Sequence, residues 1–502
     1  MTPIPPQRDT RRLRRRLAPA ALLAVAGALL AGPGTASAAA PHCIDSAPGE
    51  QKCTYRVPIT VAPYEVLQTT STLTNQNTAP QFDGMVTKME TDIVDADGTP
   101  VPISRLMLHH IVFLNIAKSD KTCSSTMGWD SRPSGLMRER FFAAGEERAK
   151  MSLPEGYGYD INSSNAWVML YMVMNHRQAT DSAYVEYTAT VKTDTTGMTP
   201  VEPYWMDIND CHVDPYYNVP GTGGPGSLDV VSRDVTIQTS GRIVAGIGHV
   251  HGGAKGLTIS EPGCGNRQIA VSNPTWGDAG HPFYNVRPIL HEPGPVNMTA
   301  FQTEQGIPVR QGEVVRLNSI YDNSRPHTRV MGIETIYVAP DPGVTQPCGP
   351  LPTDQVNLGA DTPGRKDTPE FKVPLTGIDP SGNAYTITEK PKKPQWLPGG
   401  STIRVGDRWF SKPTVEVYRR KSLNFQFSGN ELHNLTLANG PIGIASDNLD
   451  GDRSFNAKFD RPGTYNFFCS LHPVQMHERV VVKKKKKKGK KGKKGKAKRK
   501  RR

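Results

Sequence analysis

Residues 465–482 read YNFFCSLHPVQMHERVVV, and this stretch decides the fold of the C-terminal part of the chain. Aromatic residues typical of a strand lead up to Cys469, and an apolar run starts again after Arg479. Two strands therefore flank a short loop that carries His472 and Met476. His433 lies upstream in the strand-like segment NELHNLTLAN, so a neighbouring strand can bring it to the same loop.

These four side chains form a characteristic set of metal donors. Two imidazoles and one thiolate with a weak axial thioether make the trigonal site of blue-copper electron-transfer proteins. The short loop holds Cys469, His472 and Met476 in one arrangement, and His433 completes the set. We therefore predict one blue copper here. The alternative is a similar domain that has lost its metal, which we favour less because all four donor types are kept in order.

This segment resembles the plastocyanin and pseudoazurin family, whose ligands are an isolated upstream His followed by Cys-x2-His and a Met on the last loop. The pair His433-Asn434 matches that family as well, where the Asn helps to tie down the ligand loop. The resemblance implies a cupredoxin β-sandwich over residues 396–482. It also implies that the copper transfers electrons and does not bind a substrate.

The composition predicts an all-β protein. The 502 residues include 47 Gly and 43 Pro, and short apolar runs alternate with clusters of turn-forming residues. A chain of this length forms more than one core. We predict β-sandwiches over residues 45–200 and 201–340, a Pro-rich linker with some strands over 341–395, and the cupredoxin sandwich over 396–482.

The two ends of the chain differ from its body. Residues 1–38 have an Arg-rich start, an apolar run and a small-residue end, which is the pattern of a signal peptide. We therefore predict a secreted or cell-envelope protein. Six cysteines form an even set, as expected of disulfides in an oxidising compartment, and Cys469 is left over. The six are Cys43, Cys53, Cys123, Cys211, Cys264 and Cys348. Their pairing does not follow from the sequence.

The net charge of +13 comes mainly from a basic tail. Residues 483–502 contain 16 Lys or Arg and no acidic residue, while the body between the two ends is mildly acidic. A tail without apolar residues is expected to be disordered. We predict that it binds anionic cell-envelope polymers or lipid headgroups, with a purely solubilising tail as the alternative. Nucleic acid is a disfavoured partner because the protein is predicted to be exported.

A second group of metal-donor residues lies in the first 340 residues. On a strand, His249 and His251 point to one face and can bind one metal. The adjacent His109 and His110 point to opposite faces of a regular strand, so they can share a metal only at a bulge or a strand end. The group consists of His109, His110, His176, His249, His251 and Met331. Imidazoles with a soft thioether suit Cu(I), and zinc is the main alternative for the histidines.

Taken in order, these residues resemble the type II copper monooxygenases that hydroxylate peptidyl-glycine and dopamine. The resemblance spans roughly residues 50–340 and implies one copper in each of two sandwiches. An electron-donating copper is expected at His109, His110 and His176, and an oxygen-binding copper is expected at His249, His251 and Met331. The family's substrate-anchoring Arg and Tyr are replaced here by Ile247 and Thr335, which puts a peptidyl-glycine substrate in doubt.

Three functions are compatible with these donors. The first is a redox protein in which a blue-copper domain is joined to a copper-dependent monooxygenase-like region that acts on an unknown substrate. The alternative is a non-enzymatic extracellular protein that binds copper or relays electrons, and the third is a binding module without metal in the N-terminal region. Further histidines at positions 281, 291 and 327 are expected to have structural roles rather than catalytic ones. The reductant is not identifiable from the sequence.

Overall fold

The computed structural model describes residues 42–388 and 393–485. Strands dominate the described residues, and the prediction of an all-β protein is confirmed. The predicted signal peptide (1–38) and residues 486–502 of the predicted basic tail lie outside the described residues. Within the described ranges, no helix is long and apolar enough to cross a membrane.

The first sandwich is built from two sheets with the orders β1-β2-β12-β4-β10-β13 and β3-β11-β5-β8, and β9 pairs with β4. Its strands are β1 (His42–Ala47), β2 (Glu50–Val61), β3 (Val66–Leu73), β4 (Gly84–Val94), β5 (Leu106–Ser119), β6 (Ser125–Met127), β7 (Pro133–Leu136), β8 (Arg138–Gly145), β9 (Met151–Ser152), β10 (Tyr157–Ile161), β11 (Trp167–Asn175), β12 (Asp181–Lys192) and β13 (Thr199–Pro200). Strand β2 alternates buried and exposed residues, whereas β5 is buried along its first ten residues because both of its faces are covered.

The second sandwich has the sheet orders β14-β25-β17-β22-β26 and β16-β23-β18-β19. Its strands are β14 (Glu202–Asp207), β15 (Tyr217–Val219), β16 (Leu228–Thr236), β17 (Gly241–Val250), β18 (Ala254–Glu261), β19 (Arg267–Ser272), β20 (Pro274–Thr275), β21 (Asn297–Met298), β22 (Ala300–Val309), β23 (Val314–Asp322), β24 (His327–Val330), β25 (Gly332–Pro340) and β26 (Val356–Leu358). A 3₁₀ turn (Pro262–Cys264) and helix α1 (Pro282–Asn285) are its helical elements in the described ranges. Strand β26 thus extends this sheet with residues from the segment predicted as a linker.

The third sandwich has the sheet orders β29-β32-β37-β36-β34 and β31-β30-β33-β35, preceded by the ribbon β27-β28. Its strands are β27 (Thr376–Ile378), β28 (Ala384–Thr386), β29 (Gln395–Trp396), β30 (Thr402–Gly406), β31 (Trp409–Phe410), β32 (Thr414–Tyr418), β33 (Lys421–Phe427), β34 (Thr436–Asn439), β35 (Ser454–Phe459), β36 (Gly463–Phe468) and β37 (His477–Lys483). Strands β36 and β37 pair antiparallel, so the loop between them lies at one end of the sheet.

Disulfides join distant parts of the first two sandwiches. Cys43 pairs with Cys53 across β1 and β2, Cys123 pairs with Cys211, and Cys264 pairs with Cys348. The prediction that these six cysteines form disulfides is confirmed. Cys469 is the free cysteine among the described residues, and it is fully buried.

Candidate metal centres

The loop between β36 and β37 folds back on itself through its own backbone. The His472 amide donates to the Cys469 carbonyl, and the Met476 amide donates to the His472 carbonyl, both at 3.1 Å. The Cys469 amide donates in turn to the Met476 carbonyl at 3.3 Å. These bonds satisfy the polar groups of a short loop and hold the three side chains at one end of the sandwich. Both Cys469 and Met476 have no exposed surface and belong to the core of this sandwich.

His433 meets this loop from the neighbouring strand segment. Its Nδ1 lies 3.1 Å from Nδ1 of His472 and 4.0 Å from Sγ of Cys469. The His472 Nδ1 lies 3.7 Å from the same sulfur. The structure therefore brings His433, Cys469 and His472 together with their donor atoms facing one point, and Met476 is buried beside Cys469 in the same core.

Two carboxylates contact the outer nitrogens of these histidines. The His433 Nε2 lies 3.2 Å from Asp407 Oδ1, and the His472 Nε2 lies 3.2 Å from Glu431 Oε2. A carboxylate on one ring nitrogen fixes the tautomer in which the other nitrogen has a free lone pair. Both Nδ1 atoms are thereby prepared to bind a metal.

Burial disfavours the charged forms of two of the donor side chains. It lowers the pKa of His472 to about 4 and raises the pKa of the Cys469 thiol. The Asn434 backbone N–H donates to the Cys469 sulfur at 3.4 Å and favours the thiolate. A bound cation would supply the charge that makes the buried thiolate stable.

Between the first and second sandwiches lies a group of ionisable side chains that we call the junction cluster: His109, His110, His249, His251, His291 and Glu146. Strand β5 has a bulge at His109, because His110 pairs with Met172 and Leu108 pairs with Val173. The bulge turns the two adjacent histidines toward each other, and their Nδ1 atoms lie 2.9 Å apart. The ring centroids of His109 and His251 are 5.0 Å apart, so the two sandwiches meet here.

His249 is oriented by a buried glutamate that the sequence analysis did not single out. Its Nδ1 lies 3.1 Å from Glu147 Oε2, and the other carboxylate oxygen accepts the Gly145 amide at 2.8 Å. A Cβ at Gly145 would lie 2.3 Å from the His249 ring, so only glycine allows this close approach. The Nε2 atoms of His249 and His251 are buried without a hydrogen-bond partner, which fits imidazoles prepared for a metal.

Glu146 and His291 also lie in the junction cluster, although the sequence analysis assigned His291 a structural role. Glu146 Oε1 contacts Nε2 of His291 and lies 3.5 Å from Nε2 of His109. The available signal in the sequence was the pair Glu146-Glu147 directly after an apolar strand, where two adjacent acids are unusual. Their significance depends on histidines that are far away in the sequence.

The two remaining predicted donors are Met331 and His176, and only Met331 lines the cavity beside the junction cluster. Met331 is 3% exposed and lines the same cavity as His109, His110 and His251. The His176 Nδ1 lies 3.0 Å from the Pro288 carbonyl. Within the described ranges, no hydrogen bond or ring contact joins His176 to His109 or His110. Four of the six predicted donors thus line one cavity, and the ring of His249 packs against that of His251. His176 lies outside the walls of this cavity, with a buried Nε2 that has no hydrogen-bond partner among the described residues.

A cavity of about 90 Å³ lies between the junction cluster and the third sandwich. Its walls include His110, His251 and Met331 on one side and Phe468 and Ser470 on the other. The last two residues flank Cys469 in the chain. The cavity is large enough for a molecule such as dioxygen or for several waters, and both groups of donors border it or adjoin its walls.

Comparison with known proteins identifies three kinds of relative. Residues 183–341 match the family described as Stress up-regulated Nod 19. The chain is 26% identical over 315 residues to the probable copper-dependent oxygenase clz3 of Cochliobolus lunatus, covering 58% of this chain and 88% of that protein. It is 25% identical over 253 residues to the probable copper-dependent oxygenase M1 of a Phoma species, covering 49% of this chain and 59% of that protein.

A shorter match involves small copper proteins. The chain is 30% identical over 93 residues to amicyanin-alpha of Methylorubrum extorquens, covering 18% of this chain and 76% of that protein. Among solved structures, a purple cupredoxin of Nitrosopumilus maritimus matches with 19% identity and a TM-score of 0.16, covering 16% of this chain and 99% of its own. An amicyanin variant matches with 17% identity and the same TM-score, covering 17% of this chain and 82% of its own. TM-scores this low support no conclusion about function.

Proposed function

Because the chain belongs to the family of amicyanin-alpha over one segment of 93 residues, we propose that it is a copper-binding redox protein with one blue copper in its third sandwich. The observation that carries this proposal is the convergence of His433, Cys469 and His472, with Met476 buried beside them. Copper held by such a set changes valence with little rearrangement and so transfers single electrons. The buried core of the third sandwich excludes water from Cys469 and Met476.

The test is the visible absorption and the copper content of the copper-loaded protein. We expect the intense absorption of a thiolate bound to copper(II), and we expect Cys469→Ser to abolish it and to lose one copper per chain. His477→Gln is the matched control, because His477 adjoins Met476 but directs its Nε2 to the Pro473 carbonyl. A chain without this absorption would contradict the blue-copper proposal.

We further propose that the first two sandwiches act as a copper-dependent oxygenase on a substrate not yet identified. The relatives named copper-dependent oxygenases support this, and the one from Cochliobolus lunatus matches over more than half of the chain. His251 and Met331 line one cavity and His249 packs against His251, so these three residues offer the soft donor set that suits Cu(I). The cavity beside them provides a protected place for a small reactant.

Oxygen uptake with an added reductant tests this second proposal. A monooxygenase would insert one oxygen atom into the substrate and reduce the other to water with two electrons from the reductant and two protons. We expect copper-dependent uptake that His249→Ala and Met331→Ala abolish and that the control His281→Ala retains. Failure to consume oxygen with any reductant would favour the non-enzymatic alternative, in which the chain binds copper or relays electrons.

We propose that the protein is exported and that its basic tail binds anionic polymers of the cell envelope or lipid headgroups. Three disulfides support an oxidising compartment. The charge of residues 483–502 supports an electrostatic partner. Removal of residues 486–502 should abolish binding to anionic vesicles, and binding by the full chain should weaken as salt rises.

A further inference from the structure

Within the junction cluster, the Glu146 carboxylate and the imidazoles of His109 and His291 form a donor set that differs from both predicted copper sites of the first two sandwiches. Glu146 lies in the turn after β8, His109 lies in β5, and His291 lies in the segment between α1 and β21. One donor atom from each side chain lies within 4.8 Å of the other two. The three donors come from both sandwiches, so only the folded protein assembles them.

Glu146 is held with one oxygen directed at the imidazoles. Its Oε2 accepts the Gly294 backbone N–H at 2.8 Å, which leaves Oε1 facing His109 and His291. The ring centroids of His109 and His291 are 4.9 Å apart, and each ring directs its Nε2 toward Oε1 of Glu146. A carboxylate with one oxygen fixed by the backbone is a pre-oriented ligand.

Glu146 is a buried carboxylate whose neighbours are two imidazoles. Glu146 is 6% exposed, and within the described ranges its ion pairs are with His109 and His291. A buried carboxylate is costly unless hydrogen-bond donors or a cation compensate its charge, and a divalent cation bound between Glu146, His109 and His291 would do so.

The donor set indicates which cation fits. Two imidazoles and one carboxylate bind zinc in open sites and iron(II) in facial sites, and both leave positions for water or a reactant. Donors about 2.0–2.2 Å from one metal lie about 3–3.5 Å apart. His109 Nε2 and Glu146 Oε1 are 3.5 Å apart, whereas Glu146 and His291 are in direct contact and would separate to admit the metal. The set lacks the thioether that makes His249, His251 and Met331 suitable for Cu(I).

We propose that His109, Glu146 and His291 form a site for a divalent first-row cation of the zinc or iron(II) type. The site is independent of the proposed blue copper. It uses Nε2 of His109, whereas a copper shared with His110 would use Nδ1, and a neutral imidazole has one free lone pair. In the proposed site, His109 binds the metal through Nε2 and keeps its proton on Nδ1, which faces His110.

Zinc binding by the full chain tests the site. We expect His291→Ala to bind one zinc fewer per chain than the unaltered protein after gel filtration, as measured by elemental analysis. The control His281→Ala should keep the full number. If Glu146 and His291 only hydrogen-bond to each other, His291→Ala will bind the same number of zinc ions with the same affinity, and the proposal is overturned.

A second measurement does not depend on losing a side chain. In a Cys469→Ser background, which removes the free cysteine of the described residues, His291→Cys places a thiolate at the proposed site. Added Co²⁺ should then give thiolate-to-metal charge-transfer absorption, and His281→Cys should not. Absence of this band in a folded variant overturns the site. The blue absorption of copper-loaded His291→Ala reports separately on the proposed function.

Discussion

Asn434 shows how one residue ties the ligand loop to the rest of the third sandwich. It is fully buried, its side-chain nitrogen donates to Ser470 Oγ at 2.8 Å and to Asn448 Oδ1 at 2.9 Å, and its oxygen accepts the Ser470 amide at 2.9 Å. We expect Asn434→Ala to destabilise the protein by about 1–3 kcal/mol, because several buried polar groups lose their partners. Urea unfolding measures this, and the exposed Asn456→Ala should change stability little.

Glu147 is expected to act on metal binding through His249. Its carboxylate holds the His249 Nδ1 and leaves Nε2 for the metal, an arrangement that typically improves affinity about 10–100-fold. Glu147→Gln should therefore weaken copper binding at the junction cluster by about that factor, as measured by competitive titration with a chelator. The exposed Glu155→Gln is the control. If Glu147→Gln binds copper with unchanged affinity, the contact between Glu147 and His249 has no role in metal binding.

At the scale of an element, strand β25 carries a buried acid in the middle of its sheet. Glu334 is 1% exposed, accepts a bond from Ser272 Oγ at 3.2 Å, and its pKa is raised by burial to about 8. Folding therefore takes up a proton between the ordinary pKa of 4.5 and about 8, so this group's contribution to stability falls as pH rises through that window.

Glu334→Gln should remove this dependence on pH. The contribution amounts to at most about 1.4 kcal/mol per pH unit, and the amide can still accept the bond from Ser272. Urea unfolding at several pH values across the window should give a steeper decline for the unaltered protein than for the variant. Parallel declines would show that Glu334 is not the group that takes up the proton.

The bulge in β5 is the element that brings His109 and His110 to one side. A regular strand would place these neighbours on opposite faces. The local sequence allows this bulge but does not establish it, because the bulge arises from pairing with β11, about sixty residues later in the chain. The same limit applies to Glu146 and Glu147, whose histidine partners His291 and His249 come from the second sandwich.

At the scale of the whole molecule, Arg329 connects the second and third sandwiches. Its guanidinium donates to the Ser446 carbonyl at 3.0 Å, pairs with Asp214 at 3.3 Å and lies 3.4 Å from the Tyr216 ring centroid. Its carbonyl lies 3.0 Å from Nδ1 of His251. A single residue thus contacts the third sandwich with its side chain and the junction cluster with its backbone.

Arg329→Ala should loosen the third sandwich from the other two. Loss of the guanidinium leaves Asp214, which is 6% exposed, without its charge partner, at a cost of about 3–5 kcal/mol. We expect a larger radius of gyration in small-angle scattering and faster proteolysis between the sandwiches. Arg316→Ala is the matched control, since its partner Asp234 is exposed and such pairs contribute about 0–1 kcal/mol. Identical scattering of the two variants would contradict this role.

The sequence by itself determined the strand-rich architecture, the pairing of six cysteines in some combination, and the loop that brings Cys469 and His472 together. These features depend on local patterns: turn residues between short apolar runs, an even count of thiols, and donors a few residues apart. The tertiary structure alone decided which cysteines pair, how β5 bulges, and which histidines meet Glu146 and Glu147. Those outcomes depend on packing between segments that are distant along the chain, where no short-range pattern carries the information.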